Sequence, residues 1–242
     1  MFQHGLGANL FQVSELLDGL PGVEWLTSDM PGHGSSNLPS AAQPGFSFYV
    51  EVLQDLVQRY YSSAVYGGIS MGAGIALQTA IRFPERVRGL ILVRPAWLDA
   101  VRPSALQILE GAARSLDEGT PDAFFERKDF QQIERRVSDA AQSLRGLFHP
   151  NQRPELPRVL RALVNDRPLT DRNELRAVNH PTLVIANEDD PLHPVQLARD
   201  LHEALPNSQW LEIPSRYVER EAHREALRTA IADFVERCYN AS

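Results

Sequence analysis

Gly68-Ile69-Ser70-Met71-Gly72 is the stretch on which the reading of this chain turns. The apolar run Ala64–Ile69 leads into it, and a segment rich in small residues, Ala73, Gly74, Ala76 and Ala80, leads out. This is the G-x-S-x-G pattern in its strand–turn–helix setting. Such a turn is tight and strained, and it pushes the serine Oγ out at the end of a sheet. A side chain at Gly68 or Gly72 would collide with neighbouring backbone, because the turn brings strand and helix together. The start of a helix then lies beneath Ser70, where free N–H groups and the helix dipole favour negative charge. Ser70 is the candidate nucleophile. A serine in an ordinary βα turn is the plain alternative.

Working outward, five short apolar or β-branched runs read as strands: 23–28, Ala64–Ile69, Val87–Val93, Thr182–Ala186 and 209–213. Helix-like segments lie at 10–20, 48–61, Met71–Arg82, 194–205 and 221–239. Strand and helix in alternation predict an α/β fold with a mainly parallel sheet. Nearly continuous apolar strands such as Gly89-Leu90-Ile91-Leu92-Val93 suit a sheet covered on both faces. The alternation breaks over 94–180, which holds amphipathic pieces but no convincing strand. That stretch carries a charge of +1 against −8 for the rest. It reads as a helical lid, 94–180, inserted into a core made of 1–93 and 181–242. Ordinary connecting helices in one compact domain are the alternative.

A serine hydroxyl needs a base, and the base needs an orienting acid. On an elbow of this kind the partners follow in the order Ser, acid, His. After the fourth strand comes Asn187-Glu188-Asp189-Asp190-Pro191-Leu192-His193-Pro194, where Asp190 is the chosen acid and Glu188 and Asp189 its competitors. After the last strand comes His223, near the start of the final helix, and it is the chosen base. His193 competes for that role through its closeness to Asp190, but it precedes the last strand. Near the start, His4-Gly5-Leu6-Gly7-Ala8-Asn9 forms a glycine-rich loop. Its Leu6 N–H and the N–H of Met71 are the expected oxyanion donors, with His4 a prop for the loop. Asp29-Met30-Pro31-Gly32-His33-Gly34 lacks phosphate-loop spacing and reads as a structural turn, with Asp29 and His33 satisfying backbone groups.

The chain has 242 residues, 43% hydrophobic and 23% charged, with a net charge of −7. That is a globular composition, and so negative a chain has no electrostatic reason to seek nucleic acid. Cys238 is the only cysteine, so no internal disulfide is available. No signal-peptide pattern opens the chain and no apolar run approaches a membrane span. The expected setting is cytoplasmic, away from membrane and nucleic acid, with a small-molecule partner and an oligomeric state the sequence leaves open. No metal-binding spacing stands out, and no cofactor is expected.

Together, His4-Gly5-Leu6-Gly7, Asp29-Met30-Pro31-Gly32-His33-Gly34, Gly68-Ile69-Ser70-Met71-Gly72, the Asp190-Pro191 loop and His223 resemble the α/β-hydrolase superfamily. Their style is similar to its lidded esterase, enol-lactonase and meta-cleavage-product hydrolase group. The resemblance implies a cofactor-free serine hydrolase acting on a carboxylic ester or related acyl bond through Ser70, His223 and Asp190. Trp97, Phe124 and Phe125 of the lid are candidate substrate contacts, with core packing the alternative. A non-catalytic or truncated binding protein on this fold, or an acyltransferase with the same triad, are the other readings. Members of the superfamily have two strands and most of a third before the oxyanion loop, whereas only Met1-Phe2-Gln3 precede His4 here. The expectation is a gap in mid-sheet, between 23–28 and Ala64–Ile69, and a longer working chain with more residues upstream.

Overall fold

The computed structural model describes residues 1–240 and shows one parallel sheet. Its strands are β1 (Phe2–Gln3), β2 (Ala64–Ile69), β3 (Val87–Val93), β4 (Thr182–Ala186) and β5 (Ser208–Glu212), which lie side by side in chain order. Each neighbouring pair is parallel. Side chains alternate between the two faces, as strand geometry requires. Leu90, Leu92 and Val184 enter one apolar cluster, and Ile91, Val93, Leu183 and Ile185 enter another.

The helices in chain order are α1 (Leu10–Leu17), α2 (Phe46–Val57), α3 (Met71–Arg82), α4 (Ile108–Glu118), α5 (Pro121–Phe125), α6 (Lys128–Arg136), α7 (Ser138–Arg145), α8 (Leu156–Val164), α9 (Val195–Ala204) and α10 (Arg220–Asn240). Val13, Leu16 and Leu17 of α1 and Leu227, Ile231 and Phe234 of α10 cover the second face. Residues of α2, α3 and α9 cover the first. Helices α4 to α8 all fall between β3 and β4, and no strand occurs there among the described residues. Leu109, Leu144, Leu160 and Leu163 of this insertion belong to the same apolar cluster as Leu90 and Leu92. The insertion is therefore seated on the sheet's core and shares its hydrophobic interior.

Residues 23–28 do not form a strand. They run beside β1, where the Phe2 N–H donates to the Leu26 carbonyl at 3.0 Å. On its other side β1 pairs Phe2 with Gly67 and Gln3 with Gly68. So β1 occupies the expected gap over two residues, too short a ladder to draw 23–28 into the sheet. The Met1 ammonium is buried and donates to the Val65 carbonyl at 2.8 Å; burial pushes its pKa down to about 5. Beyond it lies a cleft of about 900 Å³, lined in part by Val23, Leu26, Tyr61 and Tyr239.

Two glycines let strand and helix close on each other. A Cβ on Gly68 would stand 2.5 Å from the Gly72 backbone, and one on Gly72 would overlap the Gln3 carbonyl. Backbone cannot step aside as a side chain can. Gly72→Ala is expected to cost about 3 kcal/mol, lowering the thermal midpoint by roughly 6–12 °C. A melt followed by circular dichroism checks this, and an unchanged midpoint would contradict the packing described.

Candidate active site

At the end of β2 the chain turns at Ser70 with φ 56° and ψ −108° before α3 begins at Met71. A positive φ on a residue with a Cβ is strained and persists only where its surroundings hold it. Here the Ser70 N–H donates to the Val93 carbonyl at 2.9 Å, and the Ser70 carbonyl accepts from Gly74 at 3.2 Å. Pinned in this way, Ser70 lines a cavity of about 250 Å³ at the C-terminal edge of the sheet.

The hydroxyl's partner comes from the loop after β4. Asp190-Pro191-Leu192-His193 closes a turn in which the His193 N–H donates to the Asp190 carbonyl at 3.3 Å. Aspartate first and proline second are what a β-turn favours. The turn brings its first and fourth residues together. Ser70 Oγ–H donates to His193 Nε2 across 2.8 Å. His193 Nδ1 lies 2.9 Å from Asp190 Oδ1. That approach is short but off the line of a well-formed N–H···O bond, a consequence of taking imidazole and carboxylate from one turn. Leu192 N–H donates to the same Oδ1 at 3.1 Å, and Arg94 Nη1 donates to Oδ2 at 3.3 Å. Glu188 and Asp189 are exposed to solvent, while the Asp190 side chain is fully buried.

Charge follows from this arrangement. Burial alone would raise the Asp190 pKa, but His193, Arg94 and the Leu192 N–H outweigh it and hold the carboxyl well below the usual range. Burial pushes the His193 pKa down, with Asp190 pulling partly back. The ring is then neutral at pH 7, with its proton on Nδ1 toward the carboxylate and its lone pair on Nε2 toward the serine.

The structure does not bring His223 to Ser70. His223 sits in the first turn of α10, where its Nδ1–H donates to the Pro214 carbonyl at 2.8 Å and its backbone N–H to the Glu219 carbonyl at 2.8 Å. It ties the loop after β5 to the helix and does not line the cavity. That loop presents Arg216 and Tyr217 to the cavity instead. The imidazole that meets Ser70 therefore precedes β5, where the order rule does not look for one. The signal for it was the Asp-Pro-Leu-His turn, whose first and fourth side chains meet.

Leu6 lines the cavity with Gly5, Gly7 and Ala8. Met71 is the first residue of α3, so its N–H has no carbonyl within the helix to bond. His4 props the loop: its Nδ1–H donates to the Gly5 carbonyl at 2.8 Å, and its Nε2 accepts from Met30 N–H at 3.1 Å. Asp29 accepts from Leu10 N–H at 2.7 Å and Ser35 N–H at 2.8 Å, so it does satisfy backbone groups. His33 packs between the His4 and Tyr49 rings. Trp97 lines the cavity and donates through Nε1–H to the Leu163 carbonyl at 2.9 Å. Phe124 and Phe125 do not line it. They stack with Phe130 and Phe148 inside the insertion, their ring centroids 5.0–5.8 Å apart. The remaining walls come from Leu106, Leu109, Ser143, Leu144 and Leu147 of the insertion and from Leu192. Among the described residues no cluster of three side chains could hold a metal ion, and no helix is long and apolar enough to cross a membrane.

Residues 1–217 match the family described as alpha/beta hydrolase fold. The chain belongs to that family. It is similar to the pimeloyl-[acyl-carrier protein] methyl ester esterase of Yersinia enterocolitica, with 28% identity over 97% of this chain and 92% of the relative. It is also similar to lipase 3 of a Moraxella species, with 26% identity over 85% of this chain and 67% of the lipase. Among solved structures it resembles MenH from S. aureus, with a TM-score of 0.77 and 21% identity over 98% of this chain and 93% of that one. The enol-lactonase from Burkholderia xenovorans LB400 gives a TM-score of 0.74 and 20% identity over 97% and 90%. These likenesses carry the fold; the site's chemistry rests on its own geometry.

Four buried histidines make stability depend on pH. Burial lowers His33 to about 3 and His223 to about 4 from 6.5, and lowers His4 and His193 as well. Below about pH 6.5 the unfolded chain takes up protons that the folded chain refuses, so stability falls as pH falls. Urea unfolding between about pH 7.5 and 5 is expected to show a steadily falling midpoint, and His223→Gln is expected to flatten that fall. A midpoint that rises on acidification would contradict the burial of these rings.

Proposed function

We propose that this protein is a serine hydrolase that cleaves a carboxylic ester, with Ser70 as nucleophile, His193 as base and Asp190 as the orienting acid. The observation that carries the assignment is the 2.8 Å approach of Ser70 Oγ to His193 Nε2. The esterase and lipase relatives support the class of bond cleaved. His193 replaces His223 in the assignment because its imidazole faces the serine.

The chemistry follows from the positions. His193 Nε2 takes the hydroxyl proton as Ser70 Oγ bonds to the ester carbonyl carbon. The carbonyl π electrons move onto oxygen, where the N–H groups of Leu6 and Met71 would receive the negative charge. As the C–O bond to the alcohol breaks, His193 returns the proton to the leaving oxygen. A water then attacks the acyl-Ser70 by the same route in reverse, releasing the acid and restoring the serine. Asp190 stays ionised throughout, holds the ring tautomer and stabilises the imidazolium. Arg94 fixes the other carboxylate oxygen. The helical insertion acts as the lid that supplies most of the apolar wall, so it sets which acyl or alcohol groups fit.

Ser70→Ala and His193→Ala are each expected to lower kcat/KM for a short-chain ester by roughly four to six orders of magnitude. His223→Ala is expected to retain most of the activity, measured at neutral pH where it stays folded. A serine-reactive phosphonate should label the wild type and fail to label Ser70→Ala. Activity that survives His193→Ala but vanishes in His223→Ala would overturn the assignment. Because the His193 pKa lies below 6.5, kcat/KM should rise through an acidic limb and level off by about neutral pH.

A further inference from the structure

The proposed catalytic groups do not exhaust the charge in this cavity. Arg94 stands at the end of β3 with φ 47°, its backbone N–H donating to the Ile185 carbonyl at 2.7 Å. A left-handed conformation on an arginine is strained. It turns the side chain into the cavity edge, where only 3% of it is exposed. Nη1 is taken by Asp190, but Nε is buried with no acceptor. Arg216, from the loop after β5, lines the same cavity with its guanidinium stacked 5.0 Å over the Tyr217 ring. Among the described residues it has no ion-pair partner.

Among the described residues no aspartate or glutamate lines this cavity. The nearby carboxylate is Asp190, and it already serves both His193 and Arg94. Two guanidiniums thus face the cavity and only that of Arg94 is paired with a carboxylate, in a protein whose overall charge is −7. Charge left uncompensated in a half-dry site is unfavourable and draws a counter-ion of suitable shape. Arginine is the side chain best shaped for a carboxylate, which it can grip through two parallel N–H donors.

We propose that the cavity holds an anion subsite, in which Arg216 and the free edge of Arg94 bind a carboxylate carried by the substrate itself. The preferred substrates are then half-esters of dicarboxylic acids: one end an ester presented to Ser70, the other an ionised carboxylate at the arginines. This rests on the serine hydrolase reading and narrows its substrate class. A volume of about 250 Å³ suits a short diacid and leaves no room for a nucleotide-sized group. The leucines of the cavity wall, Leu106, Leu109, Leu144 and Leu147, offer an apolar surface to the methylene chain. The products are an alcohol and a dicarboxylate, so the step that supplies this substrate must mask one carboxyl of a diacid as an ester.

The test pairs each half-ester, from monomethyl succinate to monomethyl adipate, with the half-amide methyl ester of the same diacid. The two differ in charge and hardly in shape. Wild type is expected to favour the anionic member by about ten-fold or more in kcat/KM at its best chain length. In Arg216→Met that ratio is expected to collapse toward one, chiefly through KM, and Arg216→Lys is expected to restore part of it. Arg216 lies in a half-exposed loop, so the fold of these variants is checked by melting alone. Equal turnover of the pair by wild type, or a preference untouched by Arg216→Met, would overturn the subsite.

A second measurement separates this from the reading beneath it. Titration calorimetry of glutarate into Ser70→Ala protein, with and without Arg216→Met, needs no turnover. Saturable one-to-one binding weakened about ten-fold by Arg216→Met supports the subsite even if no ester is cleaved. Absence of glutarate binding, together with neutral esters cleaved as well as anionic ones, overturns the subsite and leaves the hydrolase standing.

Discussion

A carboxylate removed from water must be answered by positive charge or hydrogen bonds, and Asp190 is answered on both of its oxygens. His193 and Leu192 N–H face Oδ1, and Arg94 faces Oδ2. The sheet makes this possible. β3 and β4 are neighbours, with Val93 paired to Ile185, so the residues just past their ends arrive at one edge. Arg94 is the first residue past β3, and Asp190 lies a few residues past β4. Between these two points the chain departs to build the whole helical insertion, then returns. The same pair of strand ends therefore anchors the buried ion pair, brings the imidazole to Ser70 and sets the two feet of the roof over the cavity. Breaking the pair from either side would leave a buried charge unanswered, a defect of about 3–5 kcal/mol.

General-base chemistry asks for a lone pair within reach of a hydroxyl and a proton on the far nitrogen facing an acid. It does not ask where along the chain the ring comes from. In the proposed assignment one β-turn supplies both the acid and the ring. That economy has a geometric consequence: an imidazole only three residues from its carboxylate meets it at close range but at an angle. Arg94 compensates by fixing the carboxylate from the opposite side, so the acid cannot swing to improve one contact without losing another.

Much of the fold could be read from residues alone, and the reasons are specific. β2, β3 and β4 are buried on both faces, so each is a continuous apolar run with little ambiguity. The serine turn was legible because Gly68 and Gly72 are demanded by backbone contact, and the structure shows that contact. Asp190 was legible through the proline after it. Residues 23–28 looked like a strand because they are apolar, but a strand needs a partner, and β1 offers two residues. The chain order expected of a serine elbow favours His223, while the local chemistry of Asp-Pro-Leu-His favours His193, the ring that meets Ser70. Phe124 and Phe125 could have faced either the cavity or the insertion's own core, since amphipathic helices in a stacked layer bury more than one face. Arg216 carried no signal at all: a charged residue in a loop looks the same whether it faces solvent or a cavity.

The imidazole of the β4 loop and the arginines beside it belong to one arrangement. The loop after β5 borders the cavity that Ser70 lines, and whatever stands there faces that cavity. If the base is the imidazole of the β4 loop, as proposed, that position is released from proton transfer. Arg216 and Tyr217 stand in it, while His223 anchors the loop from behind through the Pro214 carbonyl. A fixed cation close to the imidazole has an electrostatic consequence as well: Arg94 and Arg216 both disfavour the imidazolium, which keeps Nε2 free to accept a proton at neutral pH. A bound carboxylate would offset that field and raise the ring's basicity when a substrate is in place. The proposed anion subsite would then do more than select the substrate. It would make the base stronger in the complex than in the free protein, so that the acidic limb of kcat lies at higher pH than that of kcat/KM for anionic esters and coincides with it for neutral ones.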